Sequence, residues 1–159
     1  MELYIGGISQ GKLNYVCNKK GISKDSADIC DGAVCSADEL LSKPIINHFH
    51  RFIERLLQEE AGITRNEPEN EPDCGLRSYF LLEQAHGREA KSIEEALAEK
   101  LIAENPSAVI ICNEVGYGIV PIDRADRIYR ETVGRCLCRL AEYSGTVERI
   151  VCGLGMRIG

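Results

Sequence analysis

Lys12 closes a glycine-framed run, Gly6-Gly7-Ile8-Ser9-Gln10-Gly11-Lys12-Leu13, that follows directly on the short apolar stretch Glu2–Ile5. G-x-x-x-x-G-K between a strand and a helix is the spacing of a loop that cradles phosphate. Glycines let the backbone curl until successive N–H groups point inward. The helix that opens at the end of the loop adds its positive pole, and a lysine ammonium acts as a point charge on the terminal phosphates. Gly6, Gly7, Ile8, Ser9, Gln10, Gly11, Lys12 and Leu13 are therefore the candidate nucleotide-binding residues, with Lys12 also a catalytic candidate. One position departs from the pattern: the hydroxyl that holds Mg²⁺ at the end of such loops is replaced by Leu13. A bare G-x-x-x-x-G-K arises by chance in about one chain of this length in twenty. The placement between strand and helix is what raises it above that level. The competing reading is a glycine-rich turn that binds nothing.

Four further positions carry chemistry. Asp31 ends a weak strand candidate at Ser26–Cys30. A carboxylate there holds Mg²⁺ through water in phosphate-loop folds, whereas Asp31-Gly32 is also an ordinary turn pair. His48 and His50 flank an apolar stripe (Ile45, Phe49, Phe52, Ile53, Leu56, Leu57) with helical spacing. Two residues apart on a helix, they point to different sides and do not share one metal ion. Glu114 follows the most apolar strand candidate, Ala108–Cys112, in Asn113-Glu114-Val115-Gly116-Tyr117-Gly118. Two roles are open to it. It orders Mg²⁺ or takes a hydroxyl proton, or it binds backbone N–H groups and fixes the Gly116–Gly118 bend.

The elements that must position these residues alternate along the chain. After the loop a helix is expected over 12–20, stopped by Gly21. Ser36 and Glu39 have capping-box spacing, and Pro44 forces a fresh helix start near Ser42 that runs to about Glu60. Residues 61–91 read as an insertion. Its acidic, proline-bearing core R-N-E-P-E-N-E-P-D cannot bury an apolar face, and a lid over the nucleotide is its functional option. Ser92 and Glu95 open the next helix. A long helix is expected from Asp126 to about Ser144, and a last strand at Val147–Cys152. Strands alternating with helices predict a single α/β domain spanning 1–159, with a mainly parallel sheet flanked by helices. Ligands bind such sheets at the carboxyl ends of the strands. Gly6–Lys12, Asp31 and Asn113–Gly118 are expected to gather there.

Composition narrows the class. The net charge of −6 lacks the basic face that nucleic-acid binding needs. No stretch resembles a membrane span or a signal peptide. The eight cysteines contain no C-x-x-C, so they read as reduced, mostly buried thiols of a cytoplasmic protein.

Two stretches together resemble the adenosylcobinamide kinase/adenosylcobinamide-phosphate guanylyltransferase family of cobalamin biosynthesis. They are G-G-I-S-Q-G-K and I-C-N-E-V-G-Y-G-I-V-P-I-D-R-A-D-R-I-Y-R-E-T-V-G-R-C-L-C-R-L-A, the second leading to V-C-G-L-G-M-R-I. The likeness is strong over Ala108–Ile158, moderate over Met1–Lys12 and poor between. It implies a P-loop NTPase-like fold, use of ATP or GTP with Mg²⁺, a corrinoid (adenosylcobinamide) substrate and a homo-oligomer, with a trimer as the expected form. It implies two reactions: phosphorylation of the substrate's aminopropanol hydroxyl, and transfer of GMP through a guanylylated histidine. Two alignments of the middle region stand side by side. In one, His48 takes the place of the nucleophilic histidine, in a position that suits it better than His50. In the other, Ala27–Asp31 replaces the family's acidic strand end, the guanylylation segment is deleted and no histidine nucleophile remains. The rivals are a small-molecule kinase with another hydroxyl substrate and a non-catalytic nucleotide-binding module.

Overall fold

β1 (Glu2–Gly6) lies in the middle of a six-stranded sheet because it is apolar on both faces. Leu3 faces one buried cluster and Tyr4 the other. The computed structural model of the protein describes residues 1–60 and 92–159. The stretch 61–91, read as an insertion with a lid as its functional option, lies outside the described residues.

β1 runs parallel to β4 (Val109–Asn113) on one side and to β5 (Thr146–Val151) on the other. Beyond β4 come β3 (Ile45–Asn47) and β2 (Ile29–Asp31), both parallel, and β6 (Leu154–Arg157) closes the other edge antiparallel to β5. The order is β2-β3-β4-β1-β5-β6, the mainly parallel α/β sheet expected from the sequence.

Among the described residues, one helix covers one face. α1 (Lys12–Lys20) packs Val16 against Tyr4, Ile111 and Ile150. The other face carries α2 (Ala37–Ser42), α3 (Phe49–Glu60), α4 (Ile93–Glu104) and α5 (Arg124–Tyr143). Their Leu40, Phe52, Leu97 and Val133 meet Leu3, Ile46 and Ile110 in the larger core. Both expected capping boxes form, at Ser36/Glu39 and Ser92/Glu95, each contributing about 1 kcal/mol to its helix.

Two expectations change. Ile45–Asn47 is a strand, not the first turn of a helix. Three buried residues are too few for a period-2 signature, and Ile45 stands four residues before Phe49, which mimics helical spacing. Paired on both sides by β2 and β4, the segment gains sheet hydrogen bonds on each edge, and the chain turns at His48 before α3 begins. The strand expected at Val147–Cys152 is also not the last. Cys152 and Gly153 take positive φ values of 51° and 77°, the backbone of a tight hairpin turn, and lead into β6.

Candidate functional site

The loop expected to cradle phosphate joins β1 to α1. Gly11 sits at the N-cap of α1 with φ 78°, a conformation that glycine adopts without strain. No side chain caps this helix and its first turn holds no acid, so its leading N–H groups face a cleft of about 910 Å³. The hairpin tip steadies the loop from outside. Gly153 N–H donates to Gln10 O at 2.9 Å, and Cys152 N–H donates to Gln10 Oε1 at 2.7 Å.

Lys12 is buried, at 8% exposure. Its ammonium donates to Gly7 O (2.7 Å), Gly6 O (3.2 Å) and Asn113 Oδ1 (2.6 Å). Burial pulls its pKa below the usual lysine value, with Glu114 among the charges that oppose the shift. Asn113 continues inward, its Nδ2 lying 2.9 Å from His50 Nε2. Burial, seconded by His48, Arg51 and Lys12, pushes the His50 pKa down to about 4.

The other candidates line the same cleft. Asp31 is both turn and carboxylate. Its main-chain oxygen accepts from Val34 and Cys35, and its Oδ1 accepts from Ala33 N–H at 2.9 Å. That carboxylate also faces His48, with Nδ1 at 3.0 Å from Oδ1 and 3.1 Å from Oδ2. His48 has φ 51° and projects into solvent from the β3–α3 turn, while His50 is buried. Gly32 makes the turn possible, since a Cβ there would lie 2.6 Å from His48 O.

Glu114 is held elsewhere. Its Oε2 accepts from Arg149 Nη2 at 3.0 Å, and Arg149 Nε is 2.9 Å from Oε1. Arg149 in turn lies over the Tyr117 ring at 5.4 Å. The Gly116–Ile122 loop is held by α5 arginines. Arg130 donates to Gly116 O and Ile119 O, and Arg127 to Pro121 O and Ile122 O. Further along α5 the arginines pair with acids instead, Arg135 with Glu131 and Arg139 with Glu142.

A Mg²⁺ ion held by protein oxygens does not fit this set. Position 13 carries a hydrocarbon side chain, Glu114 is tied to Arg149, and Asp31 alone remains, already facing His48. Among the described residues no group of three or more His, Cys, Asp or Glu side chains is arranged to hold a metal. None of the described helices is long and apolar enough to cross a membrane.

Lys12, Asp31, His48 and Glu114 thus share one cleft with the loop. Asn113 was expected at this end of the sheet, though not as the partner of Lys12 and His50, and His50 and Arg149 were not anticipated in these positions. For Asn113 the signal was available, as it directly follows the best strand candidate. For Arg149, which faces Glu114 across the sheet, there was none.

Comparison with known proteins converges on one family. The model for cobinamide kinase / cobinamide phosphate guanyltransferase matches residues 73–158, more than half of the chain. It begins inside the stretch read as an insertion and does not include the phosphate loop. The bifunctional adenosylcobalamin biosynthesis protein CobU of Escherichia coli (strain K12) is 36% identical over 80 residues, which is 50% of this chain and 42% of that protein. The protein of the same name from Salmonella typhimurium (strain LT2) is 44% identical over 50 residues, 31% of this chain and 28% of that one. The chain therefore spans less than half the length of either relative in these matches.

Proposed function

The chain belongs to the cobinamide kinase / cobinamide phosphate guanyltransferase family, and from that premise we propose that it is a nucleoside-triphosphate-dependent transferase of cobalamin biosynthesis acting on a corrinoid alcohol or its phosphate. The observation that carries this reading is Lys12, a buried ammonium at an uncapped helix N-terminus beside a cleft of about 910 Å³. ATP or GTP enters with its phosphates on the loop N–H groups of Gly6–Lys12. Lys12 neutralises charge that grows on the transferred group and the leaving oxygen.

The His48–Asp31 pair supplies the second function. With Nδ1–H donated to Asp31, His48 keeps its Nε2 lone pair free. In the nucleotidyl-transfer step Nε2 bonds to the α-phosphorus of GTP as the bond to the β-phosphate oxygen breaks, and pyrophosphate leaves. The phosphate of the corrinoid then attacks the same phosphorus, the P–N bond breaks and His48 regains its lone pair. In the kinase step the substrate hydroxyl attacks the γ-phosphorus, its proton passes to His48 Nε2, the bond from that phosphorus to the β-phosphate oxygen breaks and the nucleoside diphosphate leaves. We propose a cytoplasmic homo-oligomer, a trimer as expected from the resemblance. The fully projecting apolar residues Ile119 and Ile122 support burial of that surface in an assembly.

A second reading has its own support. Leu13 and the Glu114–Arg149 pair suit a module that binds nucleotide without turning it over.

One pair of measurements separates them. Titration calorimetry with ATP and GTP is expected to show binding that Lys12→Ala weakens on the order of 100-fold. Incubation with α-labelled GTP is expected to leave acid-labile label on the protein, lost in His48→Ala. Binding without label or corrinoid turnover selects the binding module. Absence of binding for both nucleotides overturns both readings.

A further inference from the structure

His50 is not needed as an acid, base or nucleophile in the scheme above, yet it is one of the few buried polar side chains among the described residues and lines the same cleft as the phosphate loop. The geometry around it is over-determined. Lys12 Nζ has only donors, so Asn113 must turn its carbonyl oxygen towards it across 2.6 Å. The Asn113 amide nitrogen then faces His50 Nε2 at 2.9 Å. An NH₂ group opposite a ring nitrogen requires that nitrogen to be unprotonated. The longer contact, 3.4 Å from Asn113 N–H to His50 Nδ1, is given up in that tautomer.

We propose that His50 is a positioning residue of the phosphate site: as the neutral Nδ1–H tautomer it accepts from Asn113 Nδ2 and thereby aims Asn113 Oδ1 at the Lys12 ammonium. The lysine is fixed in place before a nucleotide arrives. The inference rests on nucleotide binding at Gly6–Lys12. It adds that the charge meant for the terminal phosphates is set by a ring that acts on it through Asn113. Without the ring acceptor the amide is free to rotate and to present NH₂ to NH₃⁺. Lys12 then loses its fixed station. Because Lys12 serves the terminal phosphates, the loss falls on triphosphate affinity and spares monophosphate affinity.

Two measurements test this. In the nucleotide-free wild-type protein at neutral pH, a long-range ¹H–¹⁵N spectrum of the imidazole rings is expected to show His50 with Nδ1 protonated and Nε2 bare. A protonated Nε2 overturns the proposal whether or not any nucleotide binds, so its failure is distinct from failure of the functional reading. Calorimetry with GTP and GMP then compares His50→Phe with His50→Gln, each checked for folding by thermal melting. His50→Phe is expected to lower the ratio of GTP to GMP affinity about tenfold. His50→Gln, which offers an amide oxygen as acceptor, is expected to restore most of it. Equal loss for both nucleotides in a folded His50→Phe protein marks a merely structural side chain and overturns the proposal. If His50→Phe does not fold, the tautomer of the wild-type ring decides alone.

Discussion

The Glu114 carboxylate is paired with Arg149, at 3.0 Å from Nη2 and 2.9 Å from Nε. The pair crosses from the end of β4 to β5, on either side of β1, and Arg149 carries it over the Tyr117 ring. A carboxylate with both oxygens engaged by one guanidinium is poorly placed to take a substrate proton. Its effect is to tie the Asn113–Tyr117 bend to the sheet. Glu114→Gln is accordingly expected to lower the melting temperature while reducing the transfer rate less than tenfold, against the roughly 10²–10⁴-fold loss expected of a general base. In a double-mutant cycle, Glu114→Ala with Arg149→Ala is expected to be no less stable than Glu114→Ala alone.

Leu13 stands where a magnesium-holding hydroxyl is usual, and its packing explains why it is tolerated. It is partly buried and packs against the smaller core cluster beneath α1. Without an oxygen there, a metal ion gains little from the protein. Triphosphate affinity of the wild-type chain is expected to change less than about threefold when Mg²⁺ is chelated. Leu13→Ser is expected to introduce a dependence, with affinity rising about tenfold in the presence of Mg²⁺, at a cost of about 1 kcal/mol in stability from lost packing. Calorimetry with and without EDTA checks both, with thermal melts alongside.

What the sequence disclosed follows from signal strength. β4 is legible because four consecutive buried residues leave no alternative to a covered strand. The phosphate loop is legible because glycine and lysine spacing encodes its shape. Ile45–Asn47 is not, since a three-residue strand has no period to count and its neighbour Phe49 continues a helical pattern. That miss displaced the histidines. On a helix they merely flank a stripe. At a strand-to-helix turn, with φ 51° at His48, one projects beside Asp31 and the other turns inward to Asn113. The clamp of Gln10 by Cys152 and Gly153 joins residues from opposite ends of the chain, and no local spacing records it.

The buried His50 gives stability a specific pH dependence. Its folded pKa of about 4 lies below the unfolded value of 6.5, so between those values the unfolded chain binds the proton and the folded one does not. Stability is therefore full above pH 6.5 and falls as the pH drops towards 4. Allowing for screening of a partly solvated site, the loss is on the order of 1–2 kcal/mol. Glu2 and Glu148, whose lysine partners hold their carboxyls below the ordinary carboxylate range, lose their contributions only at lower pH. Melting temperatures measured from pH 7 to 4.5 are expected to decline for the wild-type protein and to decline less for His50→Gln.

Gly32 links the Asp31 turn to His48, and its substitution tests whether that turn sets the dyad. An alanine Cβ would lie 2.6 Å from His48 O and 3.2 Å from Asn47 O, both backbone atoms that cannot swing aside. β2 and the β3–α3 turn must separate to admit it, which carries Asp31 away from His48 Nδ1. Gly32→Ala is expected to cost about 1–3 kcal/mol in stability by overpacking. It leaves the Lys12 cradle intact, because Gly6, Gly7 and Asn113 are on other strands or the loop. Nucleotide affinity is then expected to survive within about threefold while covalent labelling of His48 by GTP falls at least tenfold. Labelling that persists at the wild-type level in the folded variant shows that Asp31 does not orient the ring.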